Sequence, residues 1–163
     1  MMKTRTAKIE LDDTDLKILK ILQDDGRLSN AELAERVSLS PSPCWKRLKR
    51  LESIGAIRGY QAILDRHLMG LGVVAFVSIL LDNHTEATCR VFEERVRQMP
   101  EVTACHNISG QHDYLLQVLA DDLESFSAFA LNRLRTIPGV KEMQSSFSLR
   151  EVKASNRISV RQA

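Results

Sequence analysis

The sequence predicts an α+β protein in two parts: a helix-turn-helix module over residues 1–64, and a βαββαβ domain over residues 65–163. Three observations carry that reading. Capped helical patterning fills residues 12–55, the pattern turns strand-like and β-branched at residue 73, and the charge divides between the two stretches. Residues 1–66 hold 13 Lys/Arg against 10 Asp/Glu, net +3, whereas residues 67–163 hold 10 against 11, net −1. The 163-residue chain is 44% hydrophobic and only +2 overall, so it is an ordinary globular protein with a local basic patch rather than a polycation.

The first helix opens at Asp12-Asp13-Thr14-Asp15 and carries Leu16, Leu19, Ile21 and Leu22. Asp24-Asp25-Gly26 stops it, with Gly26 suited to a left-handed C′ position. Ser29-Asn30-Ala31-Glu32 matches a capping box and starts a short helix with Ala31, Leu33, Ala34 and Val37. Ser38-Leu39 is a tight link to a third helix, with Ser40 as N-cap and Pro41 at the first helical position. On that helix Cys44, Leu48, Leu51 and Gly55 share a face, with Cys44 a small buried residue, while Lys46, Arg47, Lys49, Arg50 and Ser53 fall elsewhere. Two short helices, a tight link and four cations in five residues predict a DNA-reading helix-turn-helix.

The second part follows an extended segment at 61–64, expected as a linker strand, and a linker at 65–72. Residues 73–81 read as a strand apolar on both faces, 86–98 as a helix, 102–109 and 114–120 as strands. A helix at 123–136 and a strand at 140–152 complete the order. Strand, helix, strand, strand, helix, strand is the ferredoxin-like sandwich, with both helices on one sheet face. The other face is apolar and bare in a monomer, which predicts a two-fold dimer.

Cys44, Cys89 and Cys105 are odd in number and lack framework spacing, residues 1–10 lack the apolar core of a signal peptide, and the run at 73–81 is too short to span a bilayer. These features predict a cytoplasmic protein with no membrane partner. No Ser/His/Asp or Cys/His constellation, P-loop or dinucleotide fingerprint is present, so no enzyme, catalytic residue or cofactor is expected.

The segments LDDTD at 11–15, GRLSNAELA at 26–34, LSPSPC at 39–44, SGQHDYLL at 109–116 and EVKASNR at 151–157 resemble the Lrp/AsnC (feast/famine) transcription regulators along nearly the whole chain. The resemblance implies a helix-turn-helix of winged-helix type on DNA and a C-terminal domain that binds an amino-acid effector. It also implies dimers assembling to octamers, with DNA wrapped around them in a nucleoid-associated setting. For double-stranded DNA, Ser40 and Ser42 are expected near phosphates or base edges, with Trp45 close to the DNA surface. Lys46 and Arg47 are expected to read bases or phosphates, and Lys49 and Arg50 to touch the backbone.

For the effector, the loop Asn107, Ile108, Ser109, Gly110, Gln111, His112, Asp113 and Tyr114 is the candidate. Gly110 permits close approach, and Asp113 is offered to an α-ammonium group. The facing segment Ser145, Ser146, Phe147 and Ser148 makes a polar pocket, which points to a small or polar amino acid. Gln111 departs from the acidic residue the family often has there. Alternatives are an effector-independent architectural DNA binder, or a thiol- or metal-responsive regulator using Cys105, His106 and His112. Adjacent Cys105 and His106 on a strand face opposite ways, which makes a shared metal awkward, so no metal site is expected.

Overall fold

The computed structural model describes residues 10–155 and 157–160; the readings that touch residues 1–9, 156 and 161–163 lie outside the described residues. The chain forms two compact units that divide between Ile63 and Leu64, and the tail from Ala154 belongs to the first unit rather than the second. Gln23 explains the tail: its amide accepts from the Ile158 N–H at 2.8 Å and donates to the Ile158 carbonyl at 3.1 Å, while Arg157 pairs with Asp24 at 2.8 Å.

In the first unit α1 runs Asp13–Asp24, α2 Asn30–Arg36 and α3 Pro41–Ser53. Ile18, Leu33, Ala34, Val37, Cys44 and Leu51 form the core, with Leu19, Ile21, Leu22 and Leu48 packed around it. Ile18 is fully buried, although the apolar positions of α1 crowd too much of the helix surface to single it out. Asp12 and Asp15 form a capping box on α1, as Ser29 and Glu32 do on α2.

Two glycine expectations change. Gly26 is not left-handed: the α1 C-cap is Asp25 in an extended conformation, and a Cβ at Gly26 would stand 3.3 Å from the Tyr60 ring. Gly26 therefore makes room for packing. Gly55 leaves the core face and ends α3 at φ 74°, donating to Glu52 at 3.0 Å. The left-handed residue between α2 and α3 is Ser38, at φ 57°. Ser38 N–H bonds Glu35 O and Leu39 N–H bonds Ala34 O, a Schellman closure that turns Leu39 onto the core.

Residues 61–64 form no strand ladder, so the linker strand is absent among the described residues. The linker at 65–72 is a hydrogen-bonded turn: the Asp65 carboxylate accepts the His67 N–H at 2.8 Å, and Leu71 N–H bonds Arg66 O at 2.8 Å.

The second unit contains β1 (Val73–Leu81), α4 (Glu86–Arg97), β2 (Val102–Asn107), β3 (Tyr114–Ala120), α5 (Leu123–Phe129) and β4 (Val140–Phe147). The sheet order is β2-β3-β1-β4, antiparallel throughout. α5 continues into a π-helical turn, Ala130–Leu134, where a single helix to 136 was expected. β4 stops at Phe147 rather than 152, its ladder with β1 ending at the Ala75–Phe147 pair. Ala75, Val77, Ile79 and Leu81 of β1 pack with Leu116, Val118, Phe92, Phe126 and Leu134 under the helices. Val74, Phe76, Leu80, Leu115 and Leu119 point to the other face, where Phe76 is 40% exposed.

Candidate DNA-reading helix and candidate ligand site

α3 divides into three stripes. Cys44, Leu48 and Leu51 face the core, and burial pushes the Cys44 thiol pKa up, so this cysteine is an apolar filler. The second stripe is held by acids at the start of α1. Arg47 Nη1 donates to Asp12 Oδ2 at 2.6 Å and to Asp15 Oδ1 at 2.8 Å. Arg50 Nη1 donates to Asp15 Oδ2 at 2.9 Å and its Nη2 to the Glu10 carbonyl at 2.9 Å. Asp15 is only 1% exposed and also accepts the Asp12 N–H, so three donors compensate its burial. The Asp15 N–H bond and then Arg47 lower the Asp12 pKa, and the two carboxylates raise that of Arg47.

The third stripe is exposed: Ser42, Trp45, Lys46 and Lys49 lie three and four residues apart, and Trp45 is 52% exposed. Lys49 pairs with Glu52 at 2.7 Å, while Lys46 has no ion-pair partner among the described residues. Of the four cations at 46–50, three meet a carboxylate among the described residues and Lys46 meets none there. Ser40 is the N-cap residue by conformation, yet its hydroxyl makes no cap hydrogen bond. Pro43, the third helical residue, removes one of the two N–H groups from which a cap hydroxyl accepts. Ser40 and Ser42 are both exposed.

The second candidate region is the turn after β2. Gly110 is at φ 123° with open space where a Cβ would be, as a close approach requires. Asp113 faces inward. Its carboxylate accepts the Leu81 N–H at 2.8 Å and meets His84 Nε2 at 2.8 Å, tying the β2–β3 hairpin to the end of β1. Each oxygen of Asp113 thus holds one partner within the fold. Ile108 N–H and Asn107 Nδ2 both donate to the Asp113 carbonyl, at 2.9 and 3.0 Å. Ser109 and Gln111 are exposed, and His112 is partly so.

Strand alternation separates the expected polar pocket wall. Ser145 and Phe147 lie on the helix face, where Phe147 meets Phe126 edge-on at 5.0 Å. Ser146 pairs with Phe76 on the open face, and Ser148 lies beyond the strand with its N–H on Val74 O. Neighbouring residues of a strand face opposite ways, so Ser145, Ser146 and Phe147 do not form one polar wall.

The second unit does contain a groove of about 390 Å³ between α4 and β2, lined in part by Glu93, Arg97, Val96, Cys105, Asn107 and Tyr114. Two expected effector residues, Asn107 and Tyr114, meet there; Glu93 and Arg97 were not anticipated. Their sequence signal is an i,i+4 acid–base pair, which is common on any solvated helix face. Arg97 Nη2 donates to Glu93 Oε2 at 2.9 Å, and the Tyr114 hydroxyl donates to Glu93 Oε1 at 3.1 Å. Burial, then bonding to Cys89 and Glu93, raises the Tyr114 pKa, so its hydroxyl stays a donor. Burial also raises the Cys105 thiol, which disfavours the nucleophilic thiolate. Cys105 pairs with Leu116 and His106 with Leu115, on opposite faces, and no metal-holding cluster occurs among the described residues.

Comparison with known proteins agrees with this division. Residues 11–58 match the winged helix-turn-helix DNA-binding model, and residues 74–158 the Lrp/AsnC ligand binding domain. The chain is 39% identical over 154 residues to the leucine-responsive regulatory protein of Rhizobium meliloti, covering 94% of this chain and 99% of that one. It is 38% identical to the protein of that name from Escherichia coli K12, covering 98% and 96%. A transcriptional regulator from Neisseria meningitidis, solved in complex with L-Met, superposes with a TM-score of 0.88 at 44% identity, over 92% of this chain and 97% of that one. With its DNA-binding helix-turn-helix and its ligand-binding sandwich, the chain belongs to the Lrp/AsnC family of transcription regulators.

Proposed function

We propose that this regulator reads duplex DNA with Ser40, Ser42, Trp45 and Lys46 of α3, and that an α-amino acid held in the groove between α4 and β2 tunes that binding. The observation that carries the DNA assignment is the exposed stripe of α3, which joins a helix start without a side-chain cap bond to Lys46, a cation with no carboxylate partner among the described residues. Arg47 and Arg50 leave the list of primary readers because their guanidinium groups hold α3 to α1. Lys49 adds backbone charge at the cost of its Glu52 pair.

The effector assignment rests on the charges of the groove. Arg97 suits an α-carboxylate, Glu93 an α-ammonium, and Val96 and Val102 an apolar side chain. The L-Met held by the Neisseria relative is the first ligand to test. Asn107 and Tyr114 connect the groove to the Gly110 turn, so occupancy is felt at the hairpin tip. A second copy covers the open sheet face around Phe76, and dimers assemble further toward an octamer; the cytoplasm and nucleoid are the setting.

Calorimetric titration of the purified protein with each of the twenty amino acids tests the effector assignment. Binding of at least one is expected, and Glu93→Gln or Arg97→Gln should each weaken it about 10-fold or more, as loss of a charge-assisted contact does. Absence of binding by all twenty at millimolar concentration overturns the assignment and favours an effector-independent DNA binder. Light scattering on Phe76→Lys tests the dimer, with a shift toward monomer expected.

A further inference from the structure

The two acids that hold the arginines of α3 differ in one respect. Asp15 is buried, whereas the Asp12 side chain is 53% exposed and the Arg47 side chain 33% exposed. The Arg47–Asp15 contact is therefore part of the fold, while the Arg47–Asp12 contact lies at a surface that solvent and a phosphate oxygen can both reach. A phosphate approaching Arg47 meets a carboxylate already in place, 2.6 Å from the guanidinium nitrogen.

We infer that Asp12 is a specificity-determining residue of DNA recognition, an internal surrogate for a backbone phosphate that keeps Arg47 from contributing to indiscriminate binding. The inference rests on α3 being the DNA-reading helix. Its chemistry is competition for one cation. On arbitrary duplex, Lys46 and the serines position the helix weakly and a phosphate does not displace Asp12. On a matched site the same groups hold the helix in register, and Arg47 exchanges one carboxylate oxygen for a phosphate oxygen while Asp15 keeps it aimed. Affinity for arbitrary DNA is lowered more than affinity for the matched site, and the ratio between them rises.

Asp12→Asn is a clean probe, because Asn caps a helix as well as Asp does while removing the charge. Binding is measured by fluorescence anisotropy from low to moderate salt. The probes are a mixed-sequence 30-bp duplex and a duplex of equal length selected from a random pool by the wild-type protein. Expected for Asp12→Asn are about 5-fold tighter binding to the mixed duplex, a salt slope steeper by about one for each bound α3, and a smaller change on the selected duplex. In an Arg47→Gln background most of this gain should vanish. Thermal melting checks the fold, and Asp12→Ser, a second uncharged N-cap, repeats the test if the Asn variant is poorly folded.

Lys46→Gln separates the two levels of reading. If it weakens binding while folded Asp12→Asn leaves affinity and slope unchanged, the role of Asp12 is overturned and α3 stands. If neither variant alters binding, α3 itself is not the DNA-reading helix and both readings fall.

Discussion

The starts of α1 and α3 look interchangeable as sequence, each a small polar residue followed by a helical run, yet they are built to opposite ends. At α1 the Asp12 side chain accepts the Asp15 N–H at 2.8 Å, and the Asp15 side chain accepts the Asp12 N–H at 3.3 Å. Ser29 at α2, Thr85 at α4 and Asp122 at α5 likewise cap their helices by accepting a first-turn N–H. At α3 the two prolines remove two first-turn donors, and the Ser40 hydroxyl accepts no cap hydrogen bond. Scaffold helices satisfy their ends internally, whereas α3 presents its hydroxyls outward. An external hydrogen-bonding surface is what such an end can serve, and phosphates and base edges offer one.

The most severe way to break this comparison is Asp15→Ala. It removes half of the α1 capping box and leaves Arg47 and Arg50 facing a site shaped for a carboxylate. Removing one partner of a buried charge cluster costs about 3–5 kcal/mol. Here both arginines are part-exposed, so about 2–4 kcal/mol is expected after solvent screening, read as a lower urea midpoint for the full chain. Loss below 1 kcal/mol would show that the clasp contributes little to holding α3 on α1.

A paired test sharpens the contrast between the helix ends. Ser29→Ala should destabilise by about 1 kcal/mol, the usual value of a lost N-cap. Ser40→Ala should leave stability within about 0.5 kcal/mol, since there is no cap bond to lose, and weaken duplex binding by about 1 kcal/mol if its hydroxyl holds a phosphate. Equal destabilisation by both substitutions would remove the distinction.

Much of the architecture is legible in the sequence because its strands are bounded by turns and built from β-branched residues; β1 and β3 fall on the residues expected. What the sequence hides is pairing at a distance. Asp15 meets Arg47 and Arg50 across 32 and 35 residues, and no periodicity records that. Counting cations on α3 therefore overstates its free charge, and Arg47, a reader by sequence together with Lys46, is held by two carboxylates. The residues expected around the ligand separate for a different reason. A loop is contiguous in sequence, but a cavity is contiguous in space, so Asn107 and Tyr114 belong to the groove while Ser145 and Ser146 are parted by the two-residue period of a strand. Gly26 and Ser38 show local preference yielding to packing, the glycine kept for Tyr60 and the left-handed turn assigned to a serine.

That serine supplies a smaller test. A non-glycine residue in the left-handed region is strained by about 1–2 kcal/mol, and glycine recovers part of this while adding freedom to the unfolded chain. Ser38→Gly should stabilise by about 0.5–1 kcal/mol, with DNA binding unchanged because the Schellman closure uses only backbone groups. A destabilised variant would mean that the Ser38 side chain has a role of its own.

The gentlest test is pH. Asp12 titrates below its ordinary value because its folded carboxylate accepts the Asp15 N–H and the Arg47 guanidinium. Glu32 is lowered by the hydroxyl and N–H of Ser29, and Asp122 by the N–H of Ser125. A depressed folded pKa means that the unfolded chain binds the proton more readily. These caps therefore contribute fully above the ordinary carboxylate range, and the contribution is lost as pH falls through the depressed folded values. Acid should loosen the first turns of α1, α2 and α5 while leaving that of α3 unaffected, since Ser40 has no proton to gain in this range. Amide exchange followed from pH 5 to pH 3, corrected for intrinsic rates, reads this directly: protection near residues 13–15, 30–32 and 123–125 should fall relative to residues 42–45. Asp12→Asn should remove the α1 part of the response and Ser40→Ala should change none of it. If the first turn of α3 instead loosened in step with α1, the hold of Asp12 on Arg47 would reach back to the start of α3, and the two helix starts would be one acid-sensitive unit.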